Sequence, residues 1–165
     1  MPEISEVLIT ANFLNFTSKN YKITKINILG GRYKKHLNSL KGYDIIQKEL
    51  PVKIKKINTK GKFLWFELSN KNKNKIYLLN TFGMGGSWGF SKEKHSNLEF
   101  IIKKGSNIKK LYFIDPRNFG TICFGNIDIL NKKLNNLGSD FLREKLDHNI
   151  LKKRIANYLK ISNKF

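Results

Sequence analysis

The stretch Lys62-Phe-Leu-Trp-Phe-Glu-Leu68 is a run of aromatic and aliphatic residues of the kind that forms a β-strand. Further runs rich in β-branched and aromatic residues flank it, and turn residues near Gly30-Gly31 and Gly42 separate some of them. These runs cover residues 21–29, 52–57, 76–79, 98–102, 110–114 and 119–124. Short strands at this spacing predict a two-layer antiparallel β-sandwich.

Helical patterns lie on both sides of the β-rich region. At the N-terminus, Pro2 suits a first helical turn, and Glu3 and Glu6 suit the positive end of its dipole. An apolar stripe follows at helical spacing, formed by Ile4, Val7, Leu8, Ala11 and Leu14. This pattern predicts a buried N-terminal helix.

The C-terminal part returns to helical periodicity. Residues 127–137 form one such pattern with Gly138 as its stop, and another begins near Asp147. We therefore predict an α+β, mainly β fold. Residues 1–125 are expected to form the β-sandwich domain with its leading helix, and residues 126–165 a linker and the beginning of a helical region.

The charge balance points to a polyanionic partner. The chain has 32 Lys and Arg against 12 Asp and Glu, a formal net charge of +20. Lysine abundance can also reflect coding bias, because only four basic residues are arginine: Arg32, Arg117, Arg143 and Arg154. Nucleic acid is favoured, since the basic residues are interspersed with aromatics in a chain that is 40% hydrophobic.

The cysteine count and hydropathy limit the class of protein further. Cys123 is the only cysteine, which excludes an internal disulfide and a four-cysteine zinc site within this chain and fits an intracellular location. No stretch approaches the roughly 18 apolar residues of a membrane span, and the N-terminus lacks a secretory pattern. We expect no membrane partner.

Four short motifs occur in order along the chain, and the ordered set is far more specific than any one of them. They are Met1-Pro2-Glu3-x-x-Glu6-Val7, Gly61-Lys62-Phe63-Leu64, Gly83-Met84-x-Gly86-Ser87 and Asp115-Pro116-Arg117-Asn118-Phe119-Gly120. Two of the three prolines and one of the four arginines fall within them. Through these motifs, roughly the first 140 residues resemble the formamidopyrimidine-DNA glycosylase and endonuclease VIII family.

The resemblance implies a base-excision DNA repair glycosylase with abasic-site lyase activity. Removal of Met1 would expose the amine of Pro2, whose pKa should lie near the α-amino value of about 7.7 to 8.0 and leave some neutral nucleophile. Glu3 matches the family's general acid and base, and Glu6 is a supporting residue one turn on. Taken alone, Pro2 and Glu3 would simply start a helix.

Other motif positions match the family's DNA contacts. Lys62 matches a hairpin lysine that contacts the phosphate beside the lesion and assists catalysis. Met84, Arg117 and Phe119 match the triad that fills the gap left by an extruded nucleotide. Without the resemblance, Lys62 would be a solvated strand residue, Met84 and Phe119 core residues, and Arg117 a turn-stabilising donor.

Three further positions are predicted DNA contacts. His95 aligns with a histidine that approaches a phosphate in the family, although a lone histidine is more often structural. Arg32 and Lys60 suit phosphate contacts by position and charge, an effect that would appear as salt-dependent affinity.

The chain departs from the family pattern beyond the sandwich. The resemblance implies a second domain with a helix-two-turn-helix element, an asparagine loop that grips phosphates and usually a zinc finger. No residues here match that loop or the zinc ligands, so no cofactor is expected. Ser5 also replaces a proline common in the opening motif. We expect a truncated helical region, with the DNA clamp either supplied by a separate chain or lost.

Three functions compete on this sequence. The first is a glycosylase and lyase acting on oxidised bases or abasic sites in double-stranded DNA, within a DNA-containing compartment. The second is a truncated, non-catalytic DNA-binding or damage-sensing module. A generic RNA-associated basic protein comes last, because it leaves the motif order unexplained. Neither oxidised purines nor oxidised pyrimidines are favoured.

Overall fold

A computed structural model describes residues 2–138, apart from the side chain of Leu37. All eight strands belong to one antiparallel hydrogen-bonded sheet with the order β5-β7-β6-β1-β2-β3-β4-β8. The strands are β1 Lys22–Ile28, β2 Val52–Lys60, β3 Phe63–Ser69, β4 Lys75–Thr81, β5 Ser87–Gly89, β6 Ser96–Lys104, β7 Asn107–Ile114 and β8 Thr121–Gly125. The helices are α1 Ile4–Ser18, α2 Gly31–Lys35, α3 Tyr43–Glu49 and α4 Ile127–Asn136, with a 3-10 turn at Leu37–Ser39.

This sheet is folded into two facing layers. β1 and β2 are joined by only two residue pairs, Lys22 with Lys53 and Ile23 with Val52, so the four strands on either side of this junction form separate halves. Trp88 in β5 joins the halves across the core. Its ring centroid lies 5.2 Å from that of Phe66 in β3, and its Nε1 donates to Oδ1 of Asn80 in β4 at 3.0 Å.

The predicted two-layer antiparallel β-sandwich is therefore confirmed. Its apolar core runs continuously between the layers. Fully buried side chains of that core come from both halves and include Ile23, Ile26, Ile54, Leu64, Phe66, Phe100 and Phe113.

Helix α1 lies along β2 and determines where the N-terminus sits. Its buried face carries Val7, Ala11 and Leu14, while the opposite face is open to solvent. Asn15 exchanges two hydrogen bonds with the backbone of Ile57, at 2.7 and 2.9 Å, and the Asn20 amide donates to Ile54. The helix therefore runs antiparallel to β2, and its first residues lie beside the hairpin that follows β2.

Helix α4 covers part of the outer face of the sandwich. Its first turn is capped by Asn126, whose Oδ1 accepts from the Ile129 amide at 3.2 Å. A second apolar cluster forms beneath it from Leu130 together with residues of β3 and β4: Phe63, Tyr77 and Leu79. The helix predicted near Asp147 lies outside the described residues, and the division at residues 125 and 126 remains a prediction.

Several local predictions need correction. Lys62 is not a strand residue, because Gly61 and Lys62 form the two-residue turn between β2 and β3. Phe119 likewise lies in the loop before β8, which begins only at Thr121. Helices α2 and α3 and the three-residue strand β5 were not predicted. Among residues 2–138, no helix is both long enough and apolar enough to cross a membrane.

Candidate active site

A pocket of about 240 Å³ opens where the N-terminus, the β2–β3 hairpin, the loop after β4 and the end of α4 meet. Its lining joins residues that are far apart in sequence: Pro2, Lys62, Phe63, Thr81, Phe82, Gly83, Lys133 and Leu137. Two predicted site residues, Pro2 and Lys62, thus share one pocket. A third, Met84, directly follows the lining residue Gly83.

Glu3 and Glu6 form a capping box at the start of α1. The Glu3 amide donates to Oε2 of Glu6 at 2.8 Å, which fixes the backbone immediately after Pro2. Both carboxylates are exposed, and Pro2 is half-buried. Glu6 therefore orients the segment that carries Pro2 and Glu3, a local arrangement that suits the supporting role predicted for it.

The hairpin turn presents Lys62 to the pocket. Gly61 has a φ of +56°, a left-handed conformation that glycine adopts without steric cost and that a tight two-residue turn requires. Phe63, next in the chain, is buried against α4 and stacks on Trp65 with a centroid separation of 5.6 Å. The exposed lysine is thus held between a tight turn and an anchored aromatic ring.

The three residues predicted to fill the DNA gap lie on two touching loops. Met84 follows β4, whereas Arg117 and Phe119 lie between β7 and β8. Arg117 Nη1 approaches Met84 Sδ at 3.9 Å. Met84 is 48% exposed and Phe119 59% exposed, so neither is a core residue. The structure therefore brings this triad together at the surface.

The loop that carries Arg117 and Phe119 is organised by Asp115. Its carboxylate is 1% exposed and accepts hydrogen bonds from the amides of Asn118 at 3.1 Å and Gly120 at 2.7 Å. These two bonds close the turn around Arg117 and Phe119. The aspartate in the Asp-Pro-Arg-Asn-Phe-Gly motif thus shapes the loop from inside the protein.

Arg32 lies against this same loop. Its backbone amide donates to Oδ1 of Asn118 at 3.1 Å, and its Nη1 donates to the carbonyl of Gly120 at 3.5 Å. Asn118 has a φ of +57°, a conformation that asparagine tolerates better than most residues. Arg32 is therefore placed where it can support the loop as well as meet a phosphate.

His95 also lies next to the loop, since its carbonyl accepts from the Asp115 amide at 3.0 Å while its side chain is exposed. Lys60 is the last residue of β2, two positions before Lys62. Both predicted phosphate contacts are thus near the pocket or its loops.

Sequence reasoning missed three residues of this region. Asn97 is 3% exposed, and its Nδ2 donates to Oδ1 of Asn118 at 3.0 Å and to the Asp115 carbonyl at 3.2 Å. Lys133 and Leu137 line the pocket from the end of α4. For Leu137 the apolar spacing of the helix was a usable signal, but nothing in the sequence distinguishes Asn97 or Lys133 from other asparagines and lysines.

Zinc-ligating residue types do not cluster in the described part of the chain. Across residues 2–138, no group of three or more histidine, cysteine, aspartate or glutamate side chains could hold a metal ion. Cys123 is half-buried, and burial raises the pKa of its thiol. A thiol that resists deprotonation and has no partner cysteine in the chain is a poor zinc ligand.

Comparison with known proteins gives a consistent result. Residues 1–122 match the family model described as the formamidopyrimidine-DNA glycosylase N-terminal domain. A formamidopyrimidine-DNA glycosylase of Wolbachia pipientis subsp. Culex pipiens (strain wPip) is 27% identical over 162 residues, which are 95% of this chain and 56% of that protein.

Solved structures with the same fold include complexes with damaged DNA. One is wild-type Lactococcus lactis FPG (MutM) with DNA containing an oxidised pyrimidine, at 25% identity and a TM-score of 0.65, covering 81% of this chain and 48% of that one. Another is MutM with DNA containing carbocyclic 8-oxo-G, at 26% identity and a TM-score of 0.65, with the same coverage. The chain thus spans about half the length of the relatives it matches.

Proposed function

This chain belongs to the formamidopyrimidine-DNA glycosylase family through its N-terminal domain, and we propose on that premise that it excises oxidised bases from DNA and cleaves the resulting abasic site, with the Pro2 amine as nucleophile. The observation that carries the proposal is the pocket in which Pro2 and Lys62 meet beside the loop of Met84. The pocket thus brings together residues of two motifs that lie 60 positions apart in the sequence.

The chemistry begins at the free amine of Pro2. Its lone pair attacks C1′ of the damaged nucleotide, the N–C1′ bond forms, and the glycosidic bond breaks with its electrons leaving on the base. The attacking amine loses its N–H proton to the Glu3 carboxylate, and the departing base takes a proton from water. Glu3 then protonates the ring oxygen, so the C1′–O4′ bond breaks and an iminium ion remains on Pro2. The positive iminium draws electrons from C2′, so loss of a C2′ proton expels the 3′ phosphate by β-elimination. Water then releases Pro2.

Lys62 is proposed to bind the phosphate beside the lesion. Lys62 lines the pocket from the two-residue turn, and charge-assisted contacts of its ammonium with a phosphate would hold the sugar at bonding distance from the amine. Lys60, His95 and Arg32 would add phosphate contacts around the same opening.

The exposed triad of Met84, Arg117 and Phe119 suits insertion into the DNA duplex during this reaction. An extruded nucleotide leaves a gap whose unstacking costs a few kcal/mol, and apolar wedges with a hydrogen-bond donor can fill it. The exposed side chains of Met84 and Phe119, with Arg117 in contact with Met84, offer that combination.

The proposed substrate is double-stranded DNA with an oxidised base or an abasic site, and such a substrate requires a DNA-containing compartment. No metal or organic cofactor takes part in the proposed chemistry, because the nucleophile, the acid and the phosphate contact are all side chains or the N-terminal amine. The net charge of +20 favours this polyanionic substrate.

Borohydride trapping tests the proposal. With duplex DNA that carries an abasic site, reduction of the iminium should yield a covalent complex of protein and DNA. A variant with one extra residue ahead of Pro2 keeps the proline ring but turns its amine into a peptide nitrogen, and it should give no complex. Lys22→Ala, at the far end of β1 from the loop near Arg32, is the control and should trap normally.

The outcome separates the two remaining functions. Binding of abasic DNA without any trapped complex, at high protein concentration and low salt, would select the non-catalytic damage-binding module. Trapping by the extended variant would overturn the assignment of Pro2. Preferential binding of structured RNA would argue against both.

A further inference from the structure

We propose that Lys133 is a second DNA-binding cation of the Pro2 pocket, one that contacts the phosphate flanking the abasic sugar together with Lys62; this inference rests on the function proposed for that pocket. Lys133 belongs to none of the four motifs that identify the family. Its place in the pocket is visible only in the folded chain.

The position of Lys133 follows from how α4 packs. Leu130 is buried against the outer face of β3 and β4, and Leu134 is partly buried in the same cluster. Lys133, on the last turn of the helix, is directed toward the ring of Phe63, with Nζ 5.8 Å from the ring centroid. A cation over an aromatic face at this distance is weakly stabilised and loses part of its freedom.

Phe63 therefore links the two lysines. It directly follows Lys62 in the hairpin and carries the Lys133 ammonium on its ring, and all three residues line the Pro2 pocket. Lys62 comes from the β2–β3 turn and Lys133 from α4, so the two cations approach the pocket from different elements. A phosphate entering between them would be contacted from two sides.

The electrostatics of the pocket favour an anion. None of its eight lining residues is acidic. Within residues 2–138, neither Lys62 nor Lys133 forms an ion pair, and the Lys133 ammonium lies over the ring of Phe63. Two lysine charges that line one small cavity repel each other, and a bound phosphate would convert that repulsion into two charge-assisted contacts.

The neighbouring residue on α4 supplies a matched comparison. Lys132 has the same charge and lies on the same helix, but it lines only the adjoining groove of about 290 Å³ beside Cys123 and Ile129, whereas Lys133 lines both that groove and the Pro2 pocket. Replacing either lysine by alanine removes one charge from an exposed helix position. Because both variants lose the same charge, a difference in their DNA affinity measures the contribution of the lysine that lines the Pro2 pocket and not the effect of net charge.

Equilibrium binding to a duplex with a tetrahydrofuran abasic analogue tests the inference, since this analogue cannot form the iminium. Lys133→Ala should weaken binding about tenfold at low salt and reduce the slope of log K against log salt by about 0.9, as loss of one phosphate contact predicts. Lys132→Ala should change affinity about threefold at most with a smaller change in slope. Lys133→Arg should retain the wild-type slope.

This binding test is independent of the test of the proposed reaction. A wild-type protein that binds the analogue but gives no borohydride complex would refute the lyase function, while a selective effect of Lys133→Ala on binding would still support the inference. Equal losses for the two alanine variants, an unchanged salt slope for Lys133→Ala, or no wild-type binding at low salt would each overturn it.

Discussion

Arg117 Nη1 lies 3.9 Å from Met84 Sδ, a contact that joins two loops 33 residues apart. The contact is exposed and involves one of only two methionines in the chain. Phe119 is also exposed, and its backbone lies close to Gly83, the residue before Met84. Since exposing large apolar groups brings no stability, their position on a stiff pair of loops is better explained by what they touch in a complex.

Removing the exposed side chain of Phe119 or Met84 should weaken DNA binding without lowering the stability of the protein. Phe119→Ala and Met84→Ala are each expected to leave the free energy of unfolding within about 0.5 kcal/mol, because these side chains are exposed, and to weaken binding of tetrahydrofuran-containing duplex at least about fivefold. Phe16→Ala is the control, since Phe16 is 91% exposed on α1. Equal binding by all three variants would show that the loops do not enter the DNA.

The close approach of the two loops predicts a difference between neighbouring glycines. Gly83 has a φ of +58°, and a Cβ there would lie 2.5 Å from the carbonyl carbon of Phe119. Gly83→Ala should therefore destabilise the protein by about 1 to 3 kcal/mol and reduce trapping. Gly85→Ala, with open space around its Cβ position, should do neither. Thermal unfolding measures the stability of each variant, and borohydride trapping measures its reaction rate. Equal stability and equal trapping of Gly83→Ala and Gly85→Ala would contradict the contact between the loops.

Asp115→Ala should remove the buried carboxylate that holds the loop of Arg117 and Phe119 in its conformation. It removes the acceptor of the buried Gly120 amide, which would cost about 1 to 3 kcal/mol, and leaves the Asn118 amide with only its 3.4 Å contact to the Asp115 carbonyl. We expect a lower unfolding midpoint in urea and weaker DNA binding together. Asp44→Ala, which removes an exposed carboxylate in the first turn of α3, should cost about 1 kcal/mol or less. A stable Asp115→Ala variant with normal binding would show that the turn closes without the carboxylate.

The sequence predicts those parts of this fold that depend on repeating patterns. Seven of the strands lie in β-branched and aromatic runs long enough to be recognised, and the apolar spacing of α1 predicts which of its faces is buried. Strand β5 is not predicted from the sequence because Ser87–Gly89 has only three residues and one buried side chain, Trp88. Its pairing with β7 depends on the tertiary fit of that tryptophan, which no local pattern encodes.

The candidate site divides in the same way. Pro2, Lys62 and Arg117 are found from motif order, because the residues around them have recognisable composition. Lys133 and Asn97 are set by packing between elements distant in sequence, α4 on the hairpin and β6 on the loop after β7. One lysine or asparagine among many carries no local signal of such a contact.

Glu99 predicts how stability should depend on pH. Its carboxylate is 8% exposed and accepts from Asn27 Nδ2 at 2.7 Å and Tyr112 OH at 2.8 Å, with Lys110 Nζ at 3.6 Å. Burial acts to raise the pKa of Glu99, but these hydrogen bonds and the lysine charge outweigh it and hold the pKa below the usual 4.5. A lowered pKa in the folded state stabilises the fold above the unfolded pKa, and this contribution is lost as pH falls through the folded value.

Glu99→Gln should therefore cost about 1 to 2 kcal/mol at pH 7 and make the free energy of unfolding less sensitive to pH below about 4.5, because the variant has no carboxylate to protonate at this position. Urea unfolding of both proteins between pH 7 and pH 3 measures this, and their difference removes the contribution of the other acidic residues. The two curves should converge as the pH falls. If they stay parallel down to pH 3, the carboxylate charge contributes nothing to the fold, and the contacts of Glu99 with Asn27 and Tyr112 act as ordinary neutral hydrogen bonds.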